Sequence, residues 1–315
     1  QRQMCIRDRI FEVINIGTSV LCSQYLGARM HKNMVQVVGV SLILNLVFGL
    51  FVSAILHYGA TSLLSMMGLR PELMEYGVSY MKIVGAFAFF QAISLTISAS
   101  LRSANKAVYP MMVTVVVNIL NIIGNYSLIF GKFGMPALGV EGAAISTAFA
   151  RGVSMVILFV ILFRKHIPRF PLSYFCPFPF VELKNLLKIG VPSAGENMSY
   201  SFSQVVLTYF INMLGNEALA TRTYVVNIVM FVYLFAIAMA QGGAICIGHL
   251  VGERKIHAAY LLGKYVMRIS ILVSLVLSCI WALMGHTLFS WLTDNPEIIR
   301  LGTICLLYTS PSPRD

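Results

Sequence analysis

Seven stretches of this chain are long and apolar enough to cross a lipid bilayer, near residues 34–57, 78–100, 109–131, 139–164, 190–214, 222–250 and 266–290. Partial stretches of the same kind stand at 10–27 and 296–304. A crossing needs about 20 apolar residues to cover a hydrocarbon core about 30 Å thick. Within lipid, every backbone N–H and C=O must be bonded internally, so stretches of this length are predicted helices. The rest of the chain agrees: 58% of residues are hydrophobic, 11% are charged and the mean hydropathy is +0.80. The expected fold class is an all-α polytopic membrane protein. In a soluble chain a net charge of +11 would raise nucleic-acid binding. Here the placement of the basic residues accounts for it, and the expected surroundings are membrane lipids, with no nucleic-acid partner.

The connecting loops alternate in charge. Thirteen Lys/Arg, from Arg29 and Lys32 to Lys264 and Arg268, fall on one side, and five (Arg70, Lys82, Lys132, Arg222, Arg300) on the other. The positive-inside rule puts the thirteen in the cytoplasm, as expected for a multi-pass protein of the plasma (inner) membrane. The segment 165–185 is then a cytoplasmic loop. It divides an N-lobe, residues 10–164, from a C-lobe, residues 186–304.

Both ends read as foreign to this pattern. QRQMCIRDR (1–9) is polar and basic, and CLLYTSPSPRD (305–315) follows an apolar run abruptly. Met4–Asp8 and Cys305–Ser310 can be encoded by one five-codon DNA string, forward at the first and inverted at the second. That inverted repeat resembles a sequencing adapter, so residues 1–9 and 305–315 are expected to be adapter-like artefacts. The protein proper is then expected to be an internal piece of a longer chain.

A repeat at an offset of 225 residues ties the two lobes together. IGTSVLCSQYLGAR (16–29) falls on QGGAICIGHLVGER (241–254), pairing Gly17 with Gly242, Gly27 with Gly252 and Arg29 with Arg254. TSLLSMMGLRPELMEYG (61–77) falls on HTLFSWLTDNPEIIRLG (286–302), matching Pro71 with Pro296 and Gly77 with Gly302. Shared Gly and Pro at fixed register are shared backbone requirements. Six spans separate the copies, so both have the same orientation, and parallel repeats of this kind are one transporter design.

The sequence resembles the multidrug and toxic compound extrusion (MATE) family of efflux transporters across essentially all of 10–304. The stretch carrying most of this is NILNIIGNYSLIFGKFGMPALGVEGAAISTAFAR (118–151), supported by SVLCSQYLGARMHKN, SASLRSANKAVYP and LLKIGVPSAGENMSYSFSQ. The resemblance implies two parallel-repeat lobes of six spans each when complete, both incomplete here. It also implies exchange of protons or sodium for amphipathic organic cations, by a protein that is monomeric when complete. In one branch of the family a cation site joins an acid on span 1 to an Asn-x₃-Asp pair on span 5 and a threonine on span 6. The span 5 and span 6 positions match Asn121, Asn125 and Thr147. Asn121 and Asn125 share a helix face at i,i+4 spacing. Asn125 departs from the pattern, because an amide carries no titrating proton, although its oxygen remains a ligand for a cation. In another branch a span 7 glutamate serves. Glu196 lies on that span, but about one turn nearer Pro192 than the family position, where this sequence has Tyr200.

Each of these residues has a plainer reading. Asn118, Asn121 and Asn125 suit interhelical hydrogen bonding worth about 1 kcal/mol each. Glu196 suits solvation near a cytoplasmic cavity, Glu12 a cavity or an arginine partner, and Arg151 a structural ion pair. The six histidines (His31, His57, His166, His249, His257, His286) read as solvated or headgroup-level residues. With no HExxH or CxxC spacing, no metal site, disulfide framework or cofactor is expected beyond the coupling ion. An alternative function is a flippase for lipid-linked oligosaccharides, which favours a basic cavity, whereas Arg151 is nearly alone at mid-span. A lipid-modifying enzyme would need paired acids in a cytoplasmic loop, which these loops lack.

Overall fold

A computed structural model describes residues 2–66, 71–167, 171–175, 178–213, 215–292, 300 and 302. Most of the partial span expected at 296–304, Cys176 and the whole tail 305–315 lie outside these residues, and so does the side chain of Glu12. The chain order is α1 (Arg2–Gly27), α2 (His31–Tyr58), α3 (Ala60–Met66), α4 (Pro71–Ala86), α5 (Ala88–Ser103), α6 (Val108–Phe130) and α7 (Gly139–Ile161). A π-turn (Leu162–His166) and a 3₁₀ turn (Leu172–Phe175) lead to α8 (Phe180–Met213), α9 (Asn216–Gly252) and α10 (Ile256–Leu292). Among the described residues five helices are long and apolar enough to cross a membrane, or six if α4 and α5 form one span bent by 46°.

Two expectations are revised. The span read at 78–100 is two helices, broken at Phe87 (φ −105°, ψ 21°). Nearby Gly85 packs so closely on Leu56 that a Cβ would overlap it. The span read at 190–214 is the later part of a 34-residue helix that begins inside the expected loop. α1 also runs back without a break through residues 2–9.

The chain forms two compact units, Gln1–Ala194 and Gly195–Asp315. The division falls inside α8, just past Pro192, rather than in the segment 165–185. The packing of α8's first turns explains the difference. A Cβ on Gly17 would stand 2.9 Å from the Leu186 carbonyl oxygen, and one on Gly190 would stand 2.8 Å from that of Val13. Two glycines, one per helix, thus let α1 and α8 meet backbone to backbone, as small residues do between membrane helices.

The core of the first unit joins α1, α2, α5 and α7 through Leu21, Val37, Val38, Ile97, Leu101 and Leu158. Polar side chains stitch the same helices. Thr18 Oγ1 donates to Ser41 Oγ (2.7 Å), and Asn45 Nδ2 donates to Thr96 Oγ1 and to Asn15 Oδ1. In the second unit Val225, Ile228 and Phe289 form a smaller core between α9 and α10.

The 225-residue repeat reappears as backbone geometry. Ala28 N–H bonds Gln24 O (2.9 Å), Arg29 N–H bonds Leu26 O (3.1 Å) and Met30 N–H bonds Tyr25 O (2.8 Å). Glu253, Arg254 and Lys255 repeat these bonds to His249 O, Val251 O and Leu250 O at 2.9, 3.0 and 2.9 Å. Both are Schellman turns, with the left-handed residue at the position glycine usually takes. Here it is arginine, at φ 58° for Arg29 and 60° for Arg254.

Candidate functional site

α6 and α7 approach closely because Gly124 faces Ser146, whose Oγ a Cβ would strike, and because Gly142 lies against the Leu128 backbone. Across this contact runs a relay of side chains. Thr147 Oγ1 donates to Ala143 O (2.8 Å), Asn121 Nδ2 donates to Thr147 Oγ1 (3.3 Å) and Asn125 Nδ2 donates to Asn121 Oδ1 (3.0 Å). Ser146 Oγ donates to the Asn121 carbonyl oxygen (3.3 Å), tying the two helices at the same level. All three relay residues are half-buried. One N–H of each amide and the Thr147 hydroxyl are used on the next oxygen along, and Asn125 Oδ1 stands at the open acceptor end of the series. That oxygen is buried and accepts no hydrogen bond among the described residues. An acceptor buried without a partner costs about 1–3 kcal/mol. A cation or a donor reaching it recovers that cost.

Three of the four residues singled out from the sequence, Asn121, Asn125 and Thr147, therefore stand together in the first unit. Asn118, on the same helix, is exposed and outside the relay. Arg151 is half-buried one helical turn beyond Thr147. Glu196 belongs to the second unit, where it is exposed on α8. The relay holds amides and hydroxyls and no titratable group, so a cation held there keeps its full charge against neutral oxygens. Among the described residues no group of three or more His, Cys, Asp or Glu is placed to hold a metal ion.

Sequence reasoning passed over Glu182, which is 4% exposed at the start of α8. Its carboxylate accepts from Tyr25 Oη (2.7 Å) on α1 and from Asn33 Nδ2 (2.8 Å) on α2. Gln36 Nε2 donates to Tyr174 O (2.8 Å) nearby. Tyr174 and Glu182, from the segment read as a cytoplasmic loop, are thus strapped to the end of α1 and the start of α2. An acid in the first turn of a helix is favoured by the helix dipole, and that was the one available signal. His166 likewise departs from a solvated reading: its Nε2 lies 3.1 Å from Ser100 Oγ in a partly buried setting.

Comparison with known proteins gives this arrangement a lineage. The MatE family model matches residues 10–127 and 192–312, its second segment continuing past Ile304. An uncharacterized transporter of Bacillus subtilis, YisQ, is 37% identical over 300 residues, covering 95% of this chain and 66% of that relative. A probable multidrug resistance protein, NorM of Thermotoga maritima, is 26% identical over 95% of this chain and 66% of its own length. The chain thus spans 66% of these relatives. A crystal structure of MATE in the bent conformation shares the fold, at a TM-score of 0.87 and 24% identity over 97% of this chain and 68% of that one. The all-helical lobes, the internal repeat and the two matched segments agree: the chain belongs to the MatE family of multi-pass membrane transporters.

Proposed function

We propose that this chain is part of a secondary antiporter that exports amphipathic organic cations in exchange for sodium or protons. Export proceeds by alternating access between the two lobes, in the plasma membrane. The observation that carries the reading is the relay ending on Asn125 Oδ1, a buried acceptor with no donor among the described residues, at the end of three linked polar side chains. Relatives named as multidrug resistance and multidrug export proteins support the substrate class.

Between the two coupling ions, the chemistry of the relay favours sodium. A proton needs a group that titrates, and amides and hydroxyls do not titrate in the physiological range. A monovalent cation needs only oxygen lone pairs, and the Asn125 oxygen has them. Coupling follows if ion and drug favour opposite-facing states, because a ligand shifts a conformational equilibrium only through its differential affinity for the two states. The inward ion gradient then drives the carrier toward the state that releases drug outside. The scarcity of mid-span Lys and Arg other than Arg151 weighs against a lipid-linked oligosaccharide as cargo.

The test is efflux of a fluorescent organic cation from everted vesicles carrying the full-length gene, under an imposed sodium or proton gradient. Sodium-dependent transport that is lost in Asn125→Leu is the expected result. Transport that responds to neither gradient would rule out the antiport.

A further inference from the structure

At the cytoplasmic end of the first unit, the start of α2, the π-turn after α7 and the 3₁₀ turn before α8 line an open cavity of about 500 Å³. Cavities of this size hold small organic ligands or their head groups. One wall is polar, formed by the Lys32 ammonium with the rings of His31 and His166, the latter kept neutral by burial and by Lys106, which push its pKa down to about 4; the other is apolar, formed by Met34, Val35 and Ile167 with Pro171 and Tyr174. Lys32 Nζ stands 5.5 Å from the centre of the Tyr174 ring, which holds the ammonium at the cavity edge. Lys106 adds a further cation beside it, its Nζ bonded to the Lys165 carbonyl oxygen. Glu182, the carboxylate tied to this end of α2, is buried and occupied by Tyr25 and Asn33, so it offers no counter-charge at the cavity surface. No side chain caps α2, so its first-turn N–H groups stand at the same end.

We propose that this cavity is a binding site for a phosphate-bearing amphipathic anion, with the head group of an anionic phospholipid from the cytoplasmic leaflet as its occupant. The phosphate sits against Lys32 and His31, and the first acyl carbons lie along Met34, Val35 and Ile167. The Lys32 and Lys106 ammonium groups repel organic cations, so this is not a second drug site. The position fits as well, since basic pockets between helices on the cytoplasmic side are where anionic head groups bind. An occupant would bridge α2 to the strap that leads into α8, and so couple lipid composition to the segment joining the two lobes.

The experiment reconstitutes the full chain in nanodiscs of phosphatidylcholine with phosphatidylglycerol as the minor lipid. Native mass spectrometry counts the lipids retained, and a thermal melt reads stability. Lys264, whose Nζ stands 4.5 Å from the Tyr260 ring, gives a matched control on the second unit. Lys32→Gln is expected to lower preferential retention of phosphatidylglycerol about fivefold, and His31→Gln/Lys32→Gln further, while Lys264→Gln leaves it unchanged. A parallel arm adds inorganic phosphate to the chain in zwitterionic lipid alone. Stabilisation there that vanishes in Lys32→Gln identifies soluble phosphate as the source of the same chemistry. Equal lipid retention in His31→Gln/Lys32→Gln and the native chain, with no stabilisation by phosphate, overturns the site. So does an equal loss in Lys264→Gln.

Discussion

In the proposed antiport, ion selectivity turns on Asn125. Its Oδ1 ends the relay from Thr147 through Asn121, and replacing it with Asp inserts a titratable group without changing the side-chain length. Asn125→Asp is expected to make transport respond to a proton gradient where the native residue does not, read as dye efflux at pH values on either side of the new carboxyl's pKa. Efflux with the same pH profile in both proteins would contradict that role. Arg29 and Arg254 make a different statement. Each is held in the left-handed region, which costs a residue bearing a Cβ about 1 kcal/mol relative to glycine. Arg29→Gly and Arg254→Gly are therefore expected to hold or raise thermal stability, and Arg29→Val to lower it by about 1–2 kcal/mol. A melt in a single detergent decides this. Asn121, Asn125 and Thr147 were all picked out by the resemblance, and the i,i+4 spacing added only that the two amides share a helix face. The unpaired oxygen was not legible, because it depends on which way each amide turns within the packed pair of helices.

At the scale of elements, α8 shows what pattern reading can miss. Its apolar stretch was plain from about residue 190. The helix instead begins at Phe180. Tertiary contacts hold its polar first turns: Glu182 to Tyr25 and Asn33, and the paired glycines at Gly17 and Gly190. None of these partners is near in sequence, so no local signal pointed to them. Glu182→Ala is expected to destabilise the first unit by about 1–3 kcal/mol, because Tyr25 and Asn33 lose the acceptor they share. Gly190→Leu is expected to cost about as much, by forcing α8 away from α1. Hydrogen exchange at 180–190 in the Glu182→Ala protein reads the first directly, with faster exchange there expected and native protection counting against the strap. The turns between α1 and α2 and between α9 and α10 are the opposite case. The repeat that aligned Arg29 with Arg254 predicted equivalence, and the two turns share their backbone bonds one for one. Gly and Arg at fixed register carried backbone information that hydrophobic periodicity alone does not hold.

For the whole molecule, the all-helical membrane fold followed from span length and hydropathy, and the duplicated design followed from the repeat. The place where the chain divides into compact units did not, because it is set by which half of α8 packs on α1. The functional account rests on two ligands, an inorganic cation at the Asn121–Asn125–Thr147 relay and an organic cation, that bind the same carrier and oppose one another. Thermodynamic linkage makes such opposition reciprocal: sodium must weaken drug binding by the same factor by which drug weakens sodium binding. The most direct measurement is a titration of a fluorescent organic cation against the purified full-length protein at rising sodium, at constant ionic strength and constant pH, with Asn125→Leu alongside. The account predicts a drug Kd that rises with sodium in the native protein and stays flat in Asn125→Leu. A Kd indifferent to sodium in the native protein, or equally sodium-dependent in both, would contradict it.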